Sequence, residues 1–468
     1  MNKVLTAPAV PTRRSDHKLE KRSGSFVVTF KTMFVLFFLM LGSLVSTPII
    51  AIAYVISSFR PKSTNSSYVG TVLLSGGKMT KSLQLARIFH RAGYKVILGE
   101  SQRYRWTAHR FSNCVDQFEI LPDCRSANYL DQISELVTRS NVDFFVPVCS
   151  PVSSFYDAKL VQRLSARCKV IHVNDEQIDS LDNKFEFAQI CTELSLRTPK
   201  TFKITDYRQV AKFDFSVHQR KFILKSIAYD PVRRLQIPRL PFDDQAEMET
   251  FLKSLPISES NPWILQEFIA GTEYCTHSTV IDGNVQVCVI CQSSAFQVNY
   301  DHVDHPEIAD WIQSFCHGLK LTGQVSFDFI EASDDGQIYA IECNPRTHSA
   351  ITAFHDFEPD QMARAYLLKA ENNETLFPTS SSKPTYWIAH EIFRFFKAIV
   401  TFQWSEALER VKVVVDGKEA VFDWKDPLPF LCLHSIHIPA QLVQCLLSGK
   451  NWIRIDFNIG KLVRLGGD

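Results

Sequence analysis

The sequence predicts an α/β protein whose N-terminal half contains a parallel sheet and is preceded by a hydrophobic membrane segment. Three observations lead to this prediction. Apolar strands alternate with helical patterns from Val69 onward, the 28 residues from Thr32 to Phe59 carry no charge, and two strand-like runs flank the turn at residues 333–336.

A chain of 468 residues has room for about three domains. We divide it into a basic tail (1–31), a membrane segment (32–59), a linker (60–68), an N-terminal α/β domain (69–180), a second domain (181–370) and a C-terminal extension (371–468).

The composition excludes two classes of protein. With 45% hydrophobic residues the chain is too apolar to be disordered, and a net charge of +1 gives no field that would hold nucleic acid. The twelve cysteines are spread through a long chain, which predicts reduced thiols in a cytosol-facing protein. Cys288 and Cys291 lie in a strand-like run, where positions three apart face opposite ways, so we do not expect them to share a metal.

The uncharged segment 32–59 is long enough to cross a bilayer, since 28 helical residues extend about 40 Å. Seven Lys or Arg residues and only two acidic residues precede it. Arg60 and Lys62 follow it, and Pro48 interrupts it. A single span, a signal peptide and a bent segment that stays in one leaflet all fit this pattern.

The N-terminal domain begins with a βαβ unit. Val69 to Leu74 reads as a strand and the apolar residues up to Ala92 recur at helical spacing. The turn between them contains Gly76 and Gly77 but lacks the spacing of a phosphate-binding loop, because Val72 stands where the first glycine would be. We favour a packing role for this turn, with an anion or hydroxyl site as the alternative.

Candidate metal ligands lie on the two runs that flank residues 333–336, which read as a hairpin. Strand alternation places Glu342 and Asn344 on one face, and Asp328 can reach that face from the neighbouring strand. These oxygen donors suit Mg²⁺, and Arg346 adds a fork for a phosphoryl group or a carboxylate. The alternative is a hairpin whose carboxylates face water.

The chain resembles the ATP-grasp carboxylate-amine ligases over residues 69–354. Five motifs follow the pattern of that family in order: Asp182-x-Lys184, the strand-ending Lys225, Gln266-Glu267-Phe268-Ile269-x-Gly271-x-Glu273, Asp328, and Glu342-x-Asn344-x-Arg346. The resemblance implies an ATP-grasp fold with an N-terminal Rossmann-like domain, ligase activity, and ATP and Mg²⁺ as cofactors.

The resemblance also implies a role for each matched residue. Lys184 and Lys225 would contact the ATP phosphates, and Arg346 would stabilise the transferred phosphoryl group together with Lys225. Asp328, Glu342 and Asn344 would hold Mg²⁺. The residues implied to form the hinge that meets adenine and ribose are Gln266, Glu267, Phe268, Ile269 and Glu273.

A closer resemblance, over almost the whole chain, is to the ATP-grasp ligases of mycosporine biosynthesis. The segments that carry it are 75–81, 109–113, 147–152, 229–235, 342–351 and 456–463. This resemblance implies that ATP activates 4-deoxygadusol by phosphorylation and that glycine then displaces phosphate, giving mycosporine-glycine. Candidate residues for the two organic substrates are Gly76, Gly77, Ser150, Arg233, Arg234 and His348. A solvated arginine pair and a structural histidine are the alternatives for the last three.

Two other functions are weighed. Another ATP-grasp amino-acid ligase, such as a dipeptide-forming enzyme, would share every ATP and metal residue. A membrane-tethered nucleotide sensor would have lost such a residue, and none is missing. The expected partners are the small-molecule substrates and a membrane, with no nucleic acid, and a homodimer is left open.

ATP and reduced thiols are cytosolic, so we expect the catalytic body to face the cytosol. A peripheral or re-entrant anchor that bends at Pro48 would keep both cationic flanks on that side. The aromatic helical stretch after Tyr386 and the apolar run Leu428 to Leu447 are typical of core, or could form a membrane-facing surface beside the anchor.

Overall fold

The structure is a computed structural model that describes residues 25–58, 68–148, 150–227, 238–293, 299–368 and 374–464. Its first element is one long helix, α1 (Ser25–Ser58), which continues through Pro48. The interruption expected at Pro48 is therefore not observed, and the peripheral or re-entrant placement of this segment stays a prediction. In the turn before the proline, the Thr47 hydroxyl donates to the Ser43 carbonyl at 2.6 Å.

The N-terminal half of α1 packs against the C-terminal part of the chain. Lys31 Nζ donates to the Ile453 carbonyl at 2.9 Å, and Trp452 Nε1 donates to Thr32 Oγ1 at 2.9 Å. Val28–Ile56 and Leu428–Ser448 are both long and apolar enough to cross a membrane. Core helices of soluble proteins and signal sequences also meet this criterion. Most of the first stretch is exposed, whereas the second is partly buried.

The next part of the chain forms the predicted parallel sheet. Its elements are β1 (Thr71–Leu74), α2 (Thr80–Arg91), β2 (Lys95–Ser101), β3 (Gln117–Leu121), α3 (Tyr129–Arg139), β4 (Phe144–Val146), α4 (Pro151–Leu164) and β5 (Lys169–Val170). The strands pair in parallel in the order β3-β2-β1-β4-β5. Val72 and Leu74 pack into one core and Leu73 into another, so both faces of the sheet are buried.

A small antiparallel sheet follows. Its elements are α5 (Asp175–Asp182), α6 (Lys184–Glu193), β6 (Thr201–Ile204), α7 (Tyr207–Ala211), β7 (Phe222–Ser226), β8 (Arg239–Leu240), α8 (Gln245–Ser254) and β9 (Trp263–Glu267). The strand order is β6-β9-β7-β8. Phe222, Leu224, Trp263 and Leu265 are part of a core that belongs to this sheet and its helices alone.

A larger antiparallel sheet carries the predicted hairpin. The elements are β10 (Gly271–Ile281), β11 (Asn284–Gln292), β12 (Asn299–Tyr300), α9 (Pro306–Gly318), β13 (Gly323–Ala332), β14 (Ile338–Asn344) and α10 (Pro359–Leu367). β11, β10, β13 and β14 form the sheet in that order, and the expected β13–β14 hairpin is confirmed. Cys288 and Cys291 on β11 lie in different cores, as the alternation predicted.

Arg220 joins the two antiparallel sheets. It precedes β7 and donates from Nε and Nη2 to Asp334 at 2.7 and 2.6 Å, and from Nη2 to Asp335 at 2.8 Å, in the turn between β13 and β14. Its guanidinium also lies over the Tyr339 ring. The cleft between the sheets is therefore held at its outer end by one arginine.

The C-terminal extension packs on the N-terminal sheet. It contains β15 (Thr385–Tyr386), α11 (Ile388–Val400), α12 (Trp404–Asp416), β16 (Lys418–Glu419), α13 (Leu428–Cys432), α14 (Ile438–Ser448), β17 (Arg454–Asp456) and β18 (Lys461–Val463). Arg87 on α2 is buried and donates to Asp426 at 2.9 Å, and Trp387 Nε1 donates to Thr80 Oγ1 at 3.1 Å. The extension thus shares a core with the first domain.

Candidate active site

Two carboxylates face each other on the β13–β14 hairpin. Asp328 and Glu342 are cross-strand partners, and Asn344 follows Glu342 on the same face. Asn344 Nδ2 lies 3.2 Å from Glu342 Oε1 and 3.5 Å from Asp328 Oδ2. The three residues predicted as metal ligands are therefore in contact with one another.

The two carboxylates differ in protonation. Burial and the neighbouring charge of Glu342 raise the pKa of Asp328 to about 7. Burial would also raise the pKa of Glu342, but Lys184 and Lys225 outweigh this effect and lower it. The pair can therefore hold a proton near neutral pH, and a divalent cation would displace it.

Three cationic side chains lie near the carboxylates of the hairpin, namely Lys184, Lys225 and Arg346. Lys184 opens α6 after the N-cap Asn183, and its Nζ lies 3.2 Å from Glu342 Oε2. Lys225 Nζ donates to Gln266 Oε1 at 2.9 Å, and burial lowers the pKa of Lys225, with Lys184 acting in the same direction.

Arg346 follows the hairpin and bonds on both sides of the cleft. Its Nη1 donates to Asp182 Oδ1 at 3.3 Å, and its Nη2 donates to Asn344 Oδ1. Because Asp182 ends α5, Arg346 links the hairpin to the start of the lysine-bearing helix α6. The lysine, carboxylate and arginine motifs thus converge on one cleft.

The donor set fits Mg²⁺ with one qualification. Two carboxylates brought together on one hairpin suit a hard divalent ion that also binds phosphate oxygens. Asn344, however, turns its Nδ2 toward both carboxylates while its Oδ1 accepts from Arg346. To ligate through oxygen, the Asn344 amide would have to rotate and release Arg346.

The hinge between the sheets follows β9. The Glu267 N–H donates to the Lys200 carbonyl at 2.8 Å and the Phe268 N–H to the Lys221 carbonyl at 2.7 Å. The Ile269 N–H has no backbone acceptor among the described residues, and its contact with adenine stays a prediction.

The hinge side chains point in different directions. Glu267 is buried and lies 3.9 Å from Arg220, and the Arg239 guanidinium stacks on Phe268 at 4.0 Å. Ile269 packs with Ile330. Glu273 is exposed at the start of β10. Of the hinge side chains, Glu267 and Phe268 are thus engaged by arginines rather than turned toward Lys225.

The glycine turn at the end of β1 is mainly a packing element. Gly76 has a φ of +66°, and a Cβ there would lie 2.2 Å from the Val148 carbonyl oxygen. The Gly77 N–H donates to the Gly99 carbonyl at 3.1 Å, and the Gly77 carbonyl accepts from His109 Nδ1 at 2.9 Å. These contacts agree with the packing role, and substrate contact by Gly76 and Gly77 stays a prediction.

The turn brings a lysine that the sequence reasoning missed into the site. Lys81, on the first turn of α2, is buried and donates to the Thr347 carbonyl at 2.5 Å, just beyond Arg346. A lysine one turn after a glycine pair could have been flagged, since a cation at that point of a βαβ unit faces the carboxyl ends of the strands.

His348 lies beside Lys81 and is neutral. Burial, Lys81 and Arg346 lower its pKa to about 3. Its Nδ1 accepts from the Ala350 N–H at 3.3 Å, so the ring proton is on Nε2. Its own N–H donates to His277 Nδ1 at 3.2 Å. His348 is therefore arranged as a hydrogen-bond donor, and its contact with substrate stays a prediction.

The remaining candidates are placed as follows. Ser150 is the N-cap of α4, where it exchanges bonds with Ser153, and Ser154 Oγ donates to the Pro345 carbonyl at 3.0 Å. This contact places the capped end of α4 beside the Arg346 segment. Arg233 and Arg234 lie outside the described residues.

Comparison with known proteins gives no match to a protein-family profile. The chain is 22% identical to the carbamoyl phosphate synthase large chain of Kocuria rhizophila over 219 residues, which is 44% of this chain. The matched region spans only 19% of that longer protein.

Two solved structures are similar in fold. One is an N5-carboxyaminoimidazole synthetase from Staphylococcus aureus complexed with ADP, with a TM-score of 0.51 and 14% identity over 68% of this chain and 81% of that chain. The other is an ADP complex of an N5-carboxyaminoimidazole ribonucleotide synthetase, with a TM-score of 0.50 and 14% identity over 68% and 80%. Both are ATP-grasp ligases. The expected fold is confirmed: this chain has the ATP-grasp fold, with a parallel-sheet domain before it and an apolar helix at its start.

Proposed function

We propose that the protein is an ATP-dependent, ADP-forming ligase that joins glycine to 4-deoxygadusol to give mycosporine-glycine. The observation that carries the ligase assignment is the convergence of Lys184, Lys225, Arg346 and the Asp328–Glu342 pair on one cleft between the two antiparallel sheets. The choice of substrates is supported by the sequence resemblance to the ligases of mycosporine biosynthesis.

In the first step, the γ-phosphoryl group passes from ATP to the enol oxygen of the cyclohexenone, and ADP leaves. Lys184 and Lys225, which both act on Glu342, present positive charge to the phosphates, and Arg346 offers a fork to the transferred group. A Mg²⁺ held by Asp328 and Glu342 would screen the phosphate oxygens.

In the second step, the glycine nitrogen attacks the ring carbon that bears the phosphate. A C–N bond forms, the C–O bond breaks, and the enol oxygen leaves with the phosphate. Lys81 and the Nε2–H of His348 lie on the side of Arg346 next to the glycine turn, where they would position the anionic oxygens of the organic substrates.

The test is to incubate the full-length protein in detergent with ATP, Mg²⁺, 4-deoxygadusol and single amino acids, and to analyse products by mass spectrometry. We expect mycosporine-glycine, ADP and phosphate, with ¹⁸O from the labelled enol appearing in phosphate. Glu342→Gln should fold normally and release no ADP. Release of AMP, retention of ¹⁸O in the product, or full turnover by Glu342→Gln would contradict the proposal.

The same assay separates the rival functions. A dipeptide-forming ligase would release ADP with amino acids alone, without 4-deoxygadusol. A nucleotide sensor would bind ATP and release ADP with no substrate combination.

A further inference from the structure

The helical hairpin formed by α11 and α12 buries charged side chains and exposes apolar ones, the opposite of an ordinary surface hairpin. Four charged residues form a network between its helices, of which Glu391 and Arg410 are buried and Arg394 and Glu406 are half-buried. Glu391 and Arg410 are 1% and 4% exposed and lie 3.4 Å apart. Arg394 lies 3.6 Å from Glu391 and 3.3 Å from Glu406, and Arg410 lies 3.1 Å from Glu406. Charges that normally face water are therefore paired inside the hairpin.

The outer face of the same hairpin is apolar. Large apolar side chains stand out from it and its connecting loop, among them Phe393, Phe396, Val400, Phe402, Trp404 and Leu408, with the exposed Lys397 and Lys412 between them. Phe402 is 77% exposed, Val400 75% and Leu408 71%, in the part of the chain that the structure describes. A soluble monomer rarely exposes a contiguous apolar patch of this kind, so the face is built to contact something apolar.

The dimensions of the hairpin favour a bilayer surface over a transmembrane span. Each helix has 13 residues, or about 20 Å, which is too short for a hydrocarbon core of about 30 Å. Phe402 and Trp404 lie at the tip with their rings 6.4 Å apart. Aromatic side chains of this kind are enriched at the level of lipid headgroups.

The hairpin is also joined to α1, which exposes apolar side chains along its length. Phe457 contacts His390 on α11 at a ring distance of 5.5 Å and His434 at 5.3 Å. His434 and Ser435 belong to the turn between α13 and α14, and Ser435 Oγ donates to Ser43 on α1 at 3.2 Å. A chain of contacts through the C-terminal extension thus connects the α11–α12 hairpin with α1.

We propose that the α11–α12 hairpin is a second membrane-contacting element that inserts its tip into one leaflet of an anionic bilayer, beside α1. The anionic preference follows from the seven Lys and Arg residues against two acidic residues in the first 31 residues. The catalytic cleft then stands on the membrane surface, held at two points.

The test uses the full chain and vesicles of phosphatidylcholine with phosphatidylserine. Phe402→Glu combined with Trp404→Glu is expected to lower the partition coefficient about 10- to 100-fold. Trp106→Glu is the matched control, because Trp106 is equally exposed but lies on the N-terminal domain, and it should bind as the wild type does. Unchanged binding of the double variant would overturn the proposal.

A second readout does not depend on the folding of the double variant. The fluorescence difference between the wild type and Trp404→Phe isolates Trp404, and lipids brominated near the headgroup should quench it. Absence of quenching would contradict insertion. If the double variant instead converts a lipid-free dimer to a monomer and binds vesicles normally, the face is an interface between two copies and the proposal is wrong.

Discussion

Asp328 and Glu342 are cross-strand neighbours whose carboxylates share a single amide donor, Asn344 Nδ2, at 3.5 and 3.2 Å. Lys184 and Lys225 compensate the charge of Glu342, whereas burial and that same charge raise the pKa of Asp328. The pair can thus bind either a proton or a cation, and the fraction of protonated Asp328 depends on pH near neutrality.

The raised pKa of Asp328, about 7, predicts a pH-dependent response to Mg²⁺. Because the folded state binds this proton more tightly than the unfolded state does, Asp328 makes the metal-free protein less stable as pH rises from about 4 to about 7. Added Mg²⁺ should therefore raise the melting temperature more at pH 8 than at pH 6, by at least about 2 °C. Asp328→Asn should abolish this difference, and an equal Mg²⁺ effect at both pH values in the wild type would exclude the assignment.

Lys81 is predicted to act on the organic substrate rather than on ATP. Replacing it with Met removes a buried cation beside Thr347, so the KM for the organic acceptor should rise about 10- to 100-fold while the KM for ATP stays within about twofold. Lys78→Met is the matched control, since the Lys78 ammonium pairs with Glu100 at 3.6 Å. A rise in the KM for ATP alone would contradict this prediction and assign Lys81 to ATP binding.

His348 is predicted not to titrate in the working range. Burial, Lys81 and Arg346 hold its pKa at about 3, so it is neutral at every pH where the protein is stable. His348→Gln should lower kcat/KM about tenfold through lost hydrogen bonding and leave the pH profile of kcat unchanged. Disappearance of an acidic limb from that profile would instead identify His348 as the base.

The buried Arg87–Asp426 pair should be costly to break. Arg87 is 3% and Asp426 1% exposed, and removing the arginine leaves an uncompensated carboxylate. Arg87→Met should lower the free energy of unfolding by about 3 to 5 kcal/mol, measured by urea denaturation, and Asp426→Asn added to it should restore part of the loss. Arg163→Met, which breaks an exposed pair with Asp131, should cost at most about 1 kcal/mol.

The sequence predicted the parts of the site that follow from strand alternation. Asp328, Glu342 and Asn344 meet because side chains two apart share a face and neighbouring strands bring opposite residues together. Lys225 and Gln266 meet by the same rule, since β7 and β9 are adjacent. The order of the motifs along the chain, which resembles that of the ATP-grasp ligases, then predicted that Lys184 and Lys225 lie near this hairpin.

What escaped prediction depends on contacts between distant segments. Lys81 reaches Thr347 across 266 residues, and nothing in the local pattern of α2 announces that partner. Continuation of α1 through Pro48 was missed because a proline removes the N–H that would bond to the Leu44 carbonyl, which by itself favours an interruption of the helix. For α11 the sequence left core and membrane-facing surface open, because spacing along one helix does not show which of its faces packs on the rest of the protein.

The packing of the C-terminal extension on α2 has a consequence for synthesis of the chain. Arg87 and Asp426 are 339 residues apart, so at about 5 to 20 residues per second the ribosome needs roughly 20 to 70 s after Arg87 to supply its counter-ion. The Thr80 N–H donates to the Asn458 carbonyl at 2.8 Å, and Asn458 is synthesised later than Asp426. Until then the nascent first domain carries an unpaired cation where its core will form, so it cannot mature on the ribosome before the last residues emerge. Premature stop codons near the 3′ end should thus prevent the N-terminal domain from folding, although they remove only C-terminal residues.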